Sequence, residues 1–186
     1  MFQIRIHGRG GQGVVTAAEL LSVAAFDEGK HAQAFPSFGS ERMGAPVMAF
    51  CRISDREIRL REPVMNPDAL IIQDTTLLHQ SDLFAGLNTS GYLIINTSRN
   101  LDDLGLGDYL AQFPHGHVCA VPASSMAQQY LGRASPNTAL LGAFAALTGQ
   151  VSLEAVSKAI LTKFKGKIGE KNIAVASAAF HQIKQN

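Results

Sequence analysis

Alternating and helical hydrophobic patterns fill the first part of the chain. In "FQIRI" apolar and polar residues alternate, which predicts a strand over residues 2–7. The stretch "VVTAAELLSVAAFDEG" then carries apolar residues at helical spacing, with Gly29 suited to the C-terminal cap. "HAQAF" follows as a second predicted strand. The chain therefore opens with a strand, a helix and a strand.

The middle of the chain alternates loops with short apolar runs. "PSFGSERMGAP" contains two prolines and two glycines, which predicts a loop. "VMAFCRIS" and "REIRL" flank Ser54 and Asp55, and we expect them to form an antiparallel hairpin. "DALIIQ", "YLIIN" and "HVCAVP" are typical of strands buried on both faces, and the segments between them are long enough for parallel crossovers.

The last third has a different period. "NTALLGAFAALTG", "SLEAVSKAILTKF" and "GEKNIAVASAAFHQIKQ" all show helical spacing and are separated by breaks that contain glycine or lysine. No internal repeat, low-complexity tract or shift in composition marks a linker. We therefore predict an α/β protein: a single Rossmann-like domain over residues 1–186, with a mainly parallel sheet, one β-hairpin and a helical C-terminal third.

Composition narrows the classes of partner and site. The 186 residues are 46% hydrophobic and 17% charged with a net charge of +1, so the chain is expected to be globular and to lack the basic field of a nucleic-acid-binding protein. No apolar run reaches the ~20 residues of a membrane span, and no leader pattern precedes the first strand, which favours the cytoplasm. Cys51 and Cys119 stand alone, so we expect no disulfide framework and no metal site.

A glycine-rich turn joins the first strand to the first helix. Glycines permit a sharp turn and a close backbone approach, and the following helix N-terminus favours an anion. No acid follows at the end of the second strand to hold a ribose, and the lysine of a phosphate-binding P-loop is missing. A ligand site and a tight turn without a ligand both remain open. The turn consists of Gly8, Arg9, Gly10, Gly11, Gln12 and Gly13.

Two further segments carry candidate binding residues. The loop over residues 35–46 lies at the carboxyl end of a predicted strand, where α/β sheets bind ligands, although a solvated surface loop is the alternative. In "SPNTALLG", Ser135 or Asn137 is expected to cap a helix, and Asn137 is also a candidate for ligand contact. The loop candidates are Ser37, Phe38, Gly39, Glu41 and Arg42.

No complete catalytic set is visible in the chain. The sequence contains no nucleophile elbow and no recognisable arrangement of serine, histidine and aspartate. We therefore assign no catalytic residue, and we expect the protein to work together with other chains.

Four motifs in the same order resemble the gamma subunit of the 2-oxoacid:ferredoxin oxidoreductases, the pyruvate and ketoisovalerate oxidoreductase family. They are "GRGGQG", "FPSFGSERMGAPV", "NTALLGAF" and "GKIGEKNIAVASAAF", and they span almost the whole chain. The resemblance implies one subunit of an enzyme that oxidatively decarboxylates a 2-oxoacid to its acyl-coenzyme A. It also implies that thiamine diphosphate, Mg and [4Fe-4S] clusters belong to thiamine diphosphate-binding and ferredoxin-like partner subunits, that this chain alone holds no cofactor, and that coenzyme A is the co-substrate.

The resemblance also suggests roles for individual residues. The glycine turn matches the family's glycine loop, and Ser37, Phe38, Gly39, Glu41 and Gly44 match its second loop. We expect Arg9 and the helix N-terminus to contact coenzyme A phosphates or a partner's backbone. Met43 and Ala45 depart from the family pattern. Met43 makes the loop more apolar, so phenylglyoxylate joins pyruvate and branched-chain 2-oxoacids as a possible substrate.

Two other functions remain as alternatives. One is an autonomous dinucleotide-binding dehydrogenase that uses NAD, and the other is a purely structural linker subunit without any ligand contact.

Overall fold

A six-stranded sheet forms the centre of the protein. The computed structural model describes residues 1–37, 43–80 and 82–185. Along the sheet the strand order is β2-β3-β1-β4-β5-β6; β1, β4, β5 and β6 run parallel, while β3 is antiparallel to both β1 and β2. The predicted α/β class with a mainly parallel sheet is confirmed. The strands are β1 (Phe2–Arg9), β2 (His31–Pro36), β3 (Pro46–Ser54), β4 (Ala69–Ile72), β5 (Tyr92–Asn96) and β6 (Val118–Val121).

Helices follow the strands and form the last part of the described chain. The three helices predicted for the C-terminal third are confirmed, whereas the apolar pattern did not predict the helix after β6. Short 3-10 turns cover Thr75–Leu77 and Leu101–Leu104. The helices are α1 (Val14–Asp27), α2 (Gly107–Leu110), α3 (Ala123–Leu131), α4 (Asn137–Thr148), α5 (Leu153–Lys163) and α6 (Gly166–Gln185).

The predicted position of the β-hairpin is wrong. Residues 56–60, the "REIRL" segment, form no strand. Both edges of β3 are already occupied, one by β1 and the other by β2, so no edge is left for a strand that follows it. The hairpin of this fold instead joins β2 to β3 across residues 37–45.

The two faces of the sheet are covered differently. On β1, Ile4 and Ile6 belong to the main core, which packs against α1, α4, α5 and α6. On β4, Leu70 and Ile72 point the other way, into a smaller cluster formed with residues from the segments that follow β4 and β5. The period of two in each strand therefore separates a face covered by long helices from a face covered by loops, the 3-10 turns and the short helix α2.

Helix α4 lies in the middle of the helical layer, and nearly all of its residues are buried. A Cβ atom on Gly142 would lie 1.9 Å from the carbonyl oxygen of Ala176, so the backbones of α4 and α6 are in direct contact there. The Thr138 hydroxyl donates to Asn172 Oδ1 at 3.1 Å within the same interface. This packing fixes the N-terminal end of α4, which borders the candidate site.

Candidate functional site

The glycine turn is stabilised by its own glutamine. The side-chain oxygen of Gln12 accepts a hydrogen bond from the Arg9 backbone N–H at 2.8 Å, and the Gln12 N–H donates to the Arg9 carbonyl at 3.0 Å. Gly11 and Gly13 have φ angles of +91° and +75°, in the left-handed region that favours glycine. Gln12 therefore holds the turn closed, and the glycines supply the backbone angles that this requires.

Asp74, just beyond the end of β4, anchors the turn from the neighbouring strand. Its Oδ2 accepts from Gln12 Nε2 at 2.8 Å, and its Oδ1 accepts from the Thr76 N–H at 2.9 Å and the Thr76 hydroxyl at 2.6 Å. Desolvation would raise the pKa of Asp74, but the hydrogen bonds from Thr76 and Gln12 and the charge of Arg9 outweigh it and lower the pKa. Asp74 is therefore an ionised anchor at neutral pH.

Arg9 connects the turn to two other segments. Its Nε and Nη2 donate to the Thr76 hydroxyl oxygen at 3.0 and 2.6 Å, and its Nη1 donates to the Gly44 carbonyl at 3.0 Å. Arg9 Nε also lies 3.5 Å from Asp74 Oδ2. The guanidinium is thus engaged within the chain, and it acts as a brace between β1, the end of β4 and the end of the second loop.

The end of the second loop packs on the glycine turn. The Gly10 N–H donates to the Ala45 carbonyl at 2.9 Å, and the Gly44 N–H donates to the Gly10 carbonyl at 3.1 Å. Met43 lies over Gly11, where an added Cβ atom would meet the Met43 methyl at 2.8 Å, yet its side chain is 85% exposed. The two loops singled out from the sequence are therefore neighbours in space.

Only part of the second loop belongs to the described residues. The Ser37 N–H donates to the Met48 carbonyl at 2.8 Å and closes the end of the hairpin. The other candidates of this loop lie outside the described residues, and their part in a site stays a prediction. These are Phe38, Gly39, Glu41 and Arg42.

The N-termini of α1 and α4 meet at Gly13. A Cβ atom on Gly13, the N-cap residue of α1, would lie 2.6 Å from Asn137 Nδ2 at the start of α4. The predicted cap of α4 by Ser135 or Asn137 is wrong: Pro136 holds the N-cap position, and Asn137 Oδ1 accepts from the adjacent Thr138 N–H at 2.9 Å. Neither helix has a side-chain cap or an acidic residue in its first turn, so both direct partial positive charge to this point.

A polar cleft of about 320 Å³ lies beside the turn, at the carboxyl ends of β4, β5 and β6. Gln73 in its lining is only 1% exposed, and neither its amide nitrogen nor its amide oxygen has a hydrogen-bond partner in the described chain. Asn96 donates to the Gln73 carbonyl at 2.7 Å and to the Ser124 hydroxyl at 2.8 Å. The other lining residues are Gln12, Asp74, Thr75, Thr97, Ser98, Arg99, Pro122 and Ser125.

The sequence carries a signal for this cleft outside the motifs quoted above. Two of the three apolar runs are followed at once by polar residues, in "IIQDTT" and "IINTS", and the carboxyl ends of parallel strands share one edge of a sheet. The acid expected after the second strand is on the wrong strand for a ribose, because β4 and not β2 is the parallel neighbour of β1. An acid does follow β4, but both oxygens of Asp74 are occupied by Thr76 and Gln12, which leaves it unsuited to a ribose.

The donor set does not suit a metal cluster. Among the described residues no three histidine, cysteine or acidic side chains come together as metal ligands. Burial raises the pKa of both Cys51 and Cys119 to about 12, so both thiols are protonated at neutral pH. None of the helices in the described parts of the chain has the length and hydropathy to cross a membrane.

Comparison with known proteins places the chain among subunits of one enzyme type. A family model described as pyruvate ferredoxin/flavodoxin oxidoreductase matches residues 3–182. The pyruvate synthase subunit PorC of Methanocaldococcus jannaschii is 49% identical over 183 residues, which cover 98% of this chain and 97% of that protein. The pyruvate/ketoisovalerate oxidoreductases common subunit gamma of Thermococcus kodakarensis is 47% identical over 182 residues, which cover 98% and 97% respectively.

A solved structure of a subunit with a similar name has the same fold as this chain. The crystal structure of the pyruvate oxidoreductase subunit PORC from Thermotoga maritima superimposes with a TM-score of 0.81 and 36% sequence identity. The match covers 97% of this chain and 95% of that one. Fold, length and sequence therefore all correspond along nearly the whole chain.

Proposed function

Because the chain belongs to the pyruvate ferredoxin/flavodoxin oxidoreductase family, as a gamma subunit of a multisubunit 2-oxoacid oxidoreductase, we propose that it completes an enzyme that converts pyruvate to acetyl-coenzyme A. Its partners are a thiamine diphosphate-binding subunit and a ferredoxin-like subunit. Thiamine diphosphate with Mg²⁺ supplies the electron sink for decarboxylation, and [4Fe-4S] clusters carry the two electrons away. The chain has two cysteines, on β3 and β6, whereas a [4Fe-4S] cluster takes four, which supports the assignment of the clusters to a partner.

The role of this chain in the assembly is to bind the phosphate end of coenzyme A. The observation that carries this proposal is the meeting of two helix N-termini without side-chain caps at Gly13, beside a cleft that contains the unpartnered amide of Gln73. Backbone N–H groups and the helix dipoles favour a phosphate at such a point. Arg9 contributes as the brace of the turn. The proposed binding set is Gly8, Arg9, Gly10, Gly11, Gln12, Gly13, Ser37, Phe38, Gly39, Glu41, Arg42 and Asn137.

Pyruvate is the substrate we favour, because the relatives are named for pyruvate or for pyruvate and ketoisovalerate. Phenylglyoxylate, suggested by the apolar Met43, stays a prediction. We further propose that residues 1–186 act as one domain, since the family model spans residues 3–182 and the six strands form one sheet. The cytoplasm is the proposed location.

The phosphate site is tested by placing a negative charge in the first turn of α1. We propose the variant Thr16→Glu, with Thr16→Gln as a matched neutral control of the same size. A carboxylate is compatible with a helix N-terminus, so folding is preserved, but it repels a phosphate nearby. In the enzyme assembled with its partner subunits, Thr16→Glu is expected to raise the Michaelis constant for coenzyme A by about tenfold over Thr16→Gln, equivalent to about 1.4 kcal/mol.

Steady-state reduction of ferredoxin, with coenzyme A and pyruvate varied separately, provides the measurement. The Michaelis constant for pyruvate and the subunit composition of the complex are expected to stay the same in both variants. Equal Michaelis constants for coenzyme A would reject the phosphate site and favour a purely structural linker. Binding of NADH by the isolated chain, observed as protection of the cofactor's fluorescence, would instead favour the autonomous dehydrogenase.

A further inference from the structure

A second cavity lies on the sheet face opposite the helices. It has a volume of about 610 Å³ and opens over β1 and β3, separate from the polar cleft described above. Most of its lining is apolar and includes Met48, Phe50, Val64, Met65 and Leu83. Its size lies within the range of about 300–1,000 Å³ that is typical of small-molecule sites.

Arg5 places a buried positive charge in the lining of this cavity. The residue is 5% exposed, and its guanidinium donates only to carbonyl oxygens, those of Val64 (3.5 Å), Leu83 (3.0 Å) and Ala85 (2.7 Å). Its Nε has no hydrogen-bond partner in the described chain. A buried charge is normally paired, and none of the ion pairs between described residues involves this guanidinium.

Arg52 on β3 shows what a satisfied buried arginine looks like in the same sheet. Its Nε, Nη1 and Nη2 donate to Gln3 Oε1, Gln33 Oε1 and the Glu62 carbonyl at 3.0, 3.3 and 2.6 Å. Burial lowers the pKa of Arg52, and the charge of Glu62 opposes this effect. Arg52 therefore has a partner for each nitrogen and an acidic neighbour, and it does not line the cavity.

His7 lies two residues from Arg5 on β1 and lines the same cavity. It is 8% exposed, and its Nε2 is buried without a hydrogen-bond partner in the described residues. Residues i and i+2 of a strand face the same side, so the two unpartnered nitrogens belong to adjacent positions of one wall. An oxygen ligand placed there would satisfy both.

We propose that this cavity binds a small carboxylic acid with an apolar body, whose carboxylate pairs with Arg5 and accepts a hydrogen bond from His7. The apolar body packs against Met48, Phe50 and Met65. Asp82 also lines the cavity. Burial lowers the pKa of Arg5, and the charge of Tyr109 opposes this effect. Both nitrogens are buried in the free chain, so binding requires the two side chains to rotate toward the ligand.

The chain offers a direct spectroscopic test. Its five methionines, labelled with ¹³C at the methyl group, give resonances for Met48 and Met65, which line the cavity, with Met1 and Met126 as controls elsewhere. The full chain is titrated with 4-methylpentanoate and with its neutral amide. We expect saturable shifts of the Met48 and Met65 resonances with the carboxylate, and at least tenfold weaker binding of the amide.

Variants assign the binding to the two nitrogens. Arg5→Met is expected to weaken binding of the carboxylate at least tenfold, whereas Arg52→Met leaves it unchanged. His7→Phe provides a second variant if Arg5→Met does not fold, and it is expected to weaken binding at least threefold. Absence of saturable shifts in the unmodified chain, equal binding of acid and amide, or shifts that occur only when partner subunits are added would each overturn the proposal.

Discussion

Replacing Gly13 with alanine tests how the glycine turn is joined to α4. Gly13 and Gly29 have nearly the same φ angles, +75° and +78°. A Cβ atom at Gly13 would lie 2.6 Å from Asn137 Nδ2, whereas a Cβ atom at Gly29 would meet nothing within 4 Å. Gly29→Ala is therefore a matched control that shares the backbone cost without the contact.

The expected magnitudes follow from these two contributions. A left-handed conformation costs alanine about 1–2 kcal/mol at either position. In Gly13→Ala the Asn137 side chain must also move, which forfeits the hydrogen bond from Thr138 to its Oδ1, worth about 1 kcal/mol. We therefore expect Gly13→Ala to lower the free energy of unfolding by about 1 kcal/mol more than Gly29→Ala.

A double-mutant cycle with Asn137→Ala isolates the contact. Asn137 Cβ lies 3.6 Å from the Cβ atom that alanine would add at Gly13, an ordinary contact distance, so the clash disappears when the amide is removed. Urea unfolding of the four proteins at pH 7 measures the coupling, expected at about 1 kcal/mol. Equal costs for Gly13→Ala and Gly29→Ala, together with zero coupling, would refute the claim that the glycine turn bears on α4.

Three further predictions concern the core and the pH dependence of stability. Gly142→Ala is expected to lower the free energy of unfolding by more than about 2 kcal/mol, because its Cβ atom would lie 1.9 Å from the Ala176 carbonyl oxygen. A Cβ atom at Gly107 would meet nothing within 4 Å, so Gly107→Ala is expected to be neutral or slightly stabilising. Thermal unfolding compares the two variants, and similar melting temperatures would contradict the close packing of α4 and α6. Burial, aided by the charge of Arg5, lowers the pKa of His7 in the folded chain to about 4. As the pH falls, His7 is therefore protonated in the unfolded chain before it is protonated in the folded one, and about 2 kcal/mol of stability is lost between pH 7 and pH 5. In urea unfolding His7→Phe is expected to remove most of this loss, and an unchanged loss would show that His7 is not its source. The pKa of Asp74 is lowered in the folded state, so its stabilising effect is present above its unfolded pKa and is lost as the pH falls through the folded pKa. Asp74→Asn is expected to be less stable than the unmodified protein at pH 7 and to lose less stability on acidification. Equal stability of both proteins at pH 7 would contradict the anchoring role.

Most of the fold followed from hydrophobic pattern alone. The apolar runs that became β4 and β5 are buried on both faces at their centres, and β6 is buried at alternate positions. The helical spacing of the last third corresponds to α4, α5 and α6. The hairpin was misplaced because alternation in "REIRL" says nothing about whether a neighbouring strand edge is free. That information depends on contacts between β1 and β3, which are distant in sequence.

The candidate site was predicted in part. The glycine turn and the second loop were found from composition, and the structure brings Gly10 against Gly44 and Ala45. Gln73 and Asp74 were missed because their place beside the turn depends on β4 pairing with β1, which local spacing does not reveal. The engagement of Arg9 by Thr76 is likewise a long-range contact.

Native mass spectrometry of the protein, isolated untagged from its own cells, tests the central claim most directly. Iron and thiamine diphosphate are assayed on the same sample. We predict that this chain of 19.9 kDa is found in a hetero-oligomer that carries both iron and thiamine diphosphate. A free monomer or homodimer that carries neither would contradict its role as a subunit of a 2-oxoacid oxidoreductase.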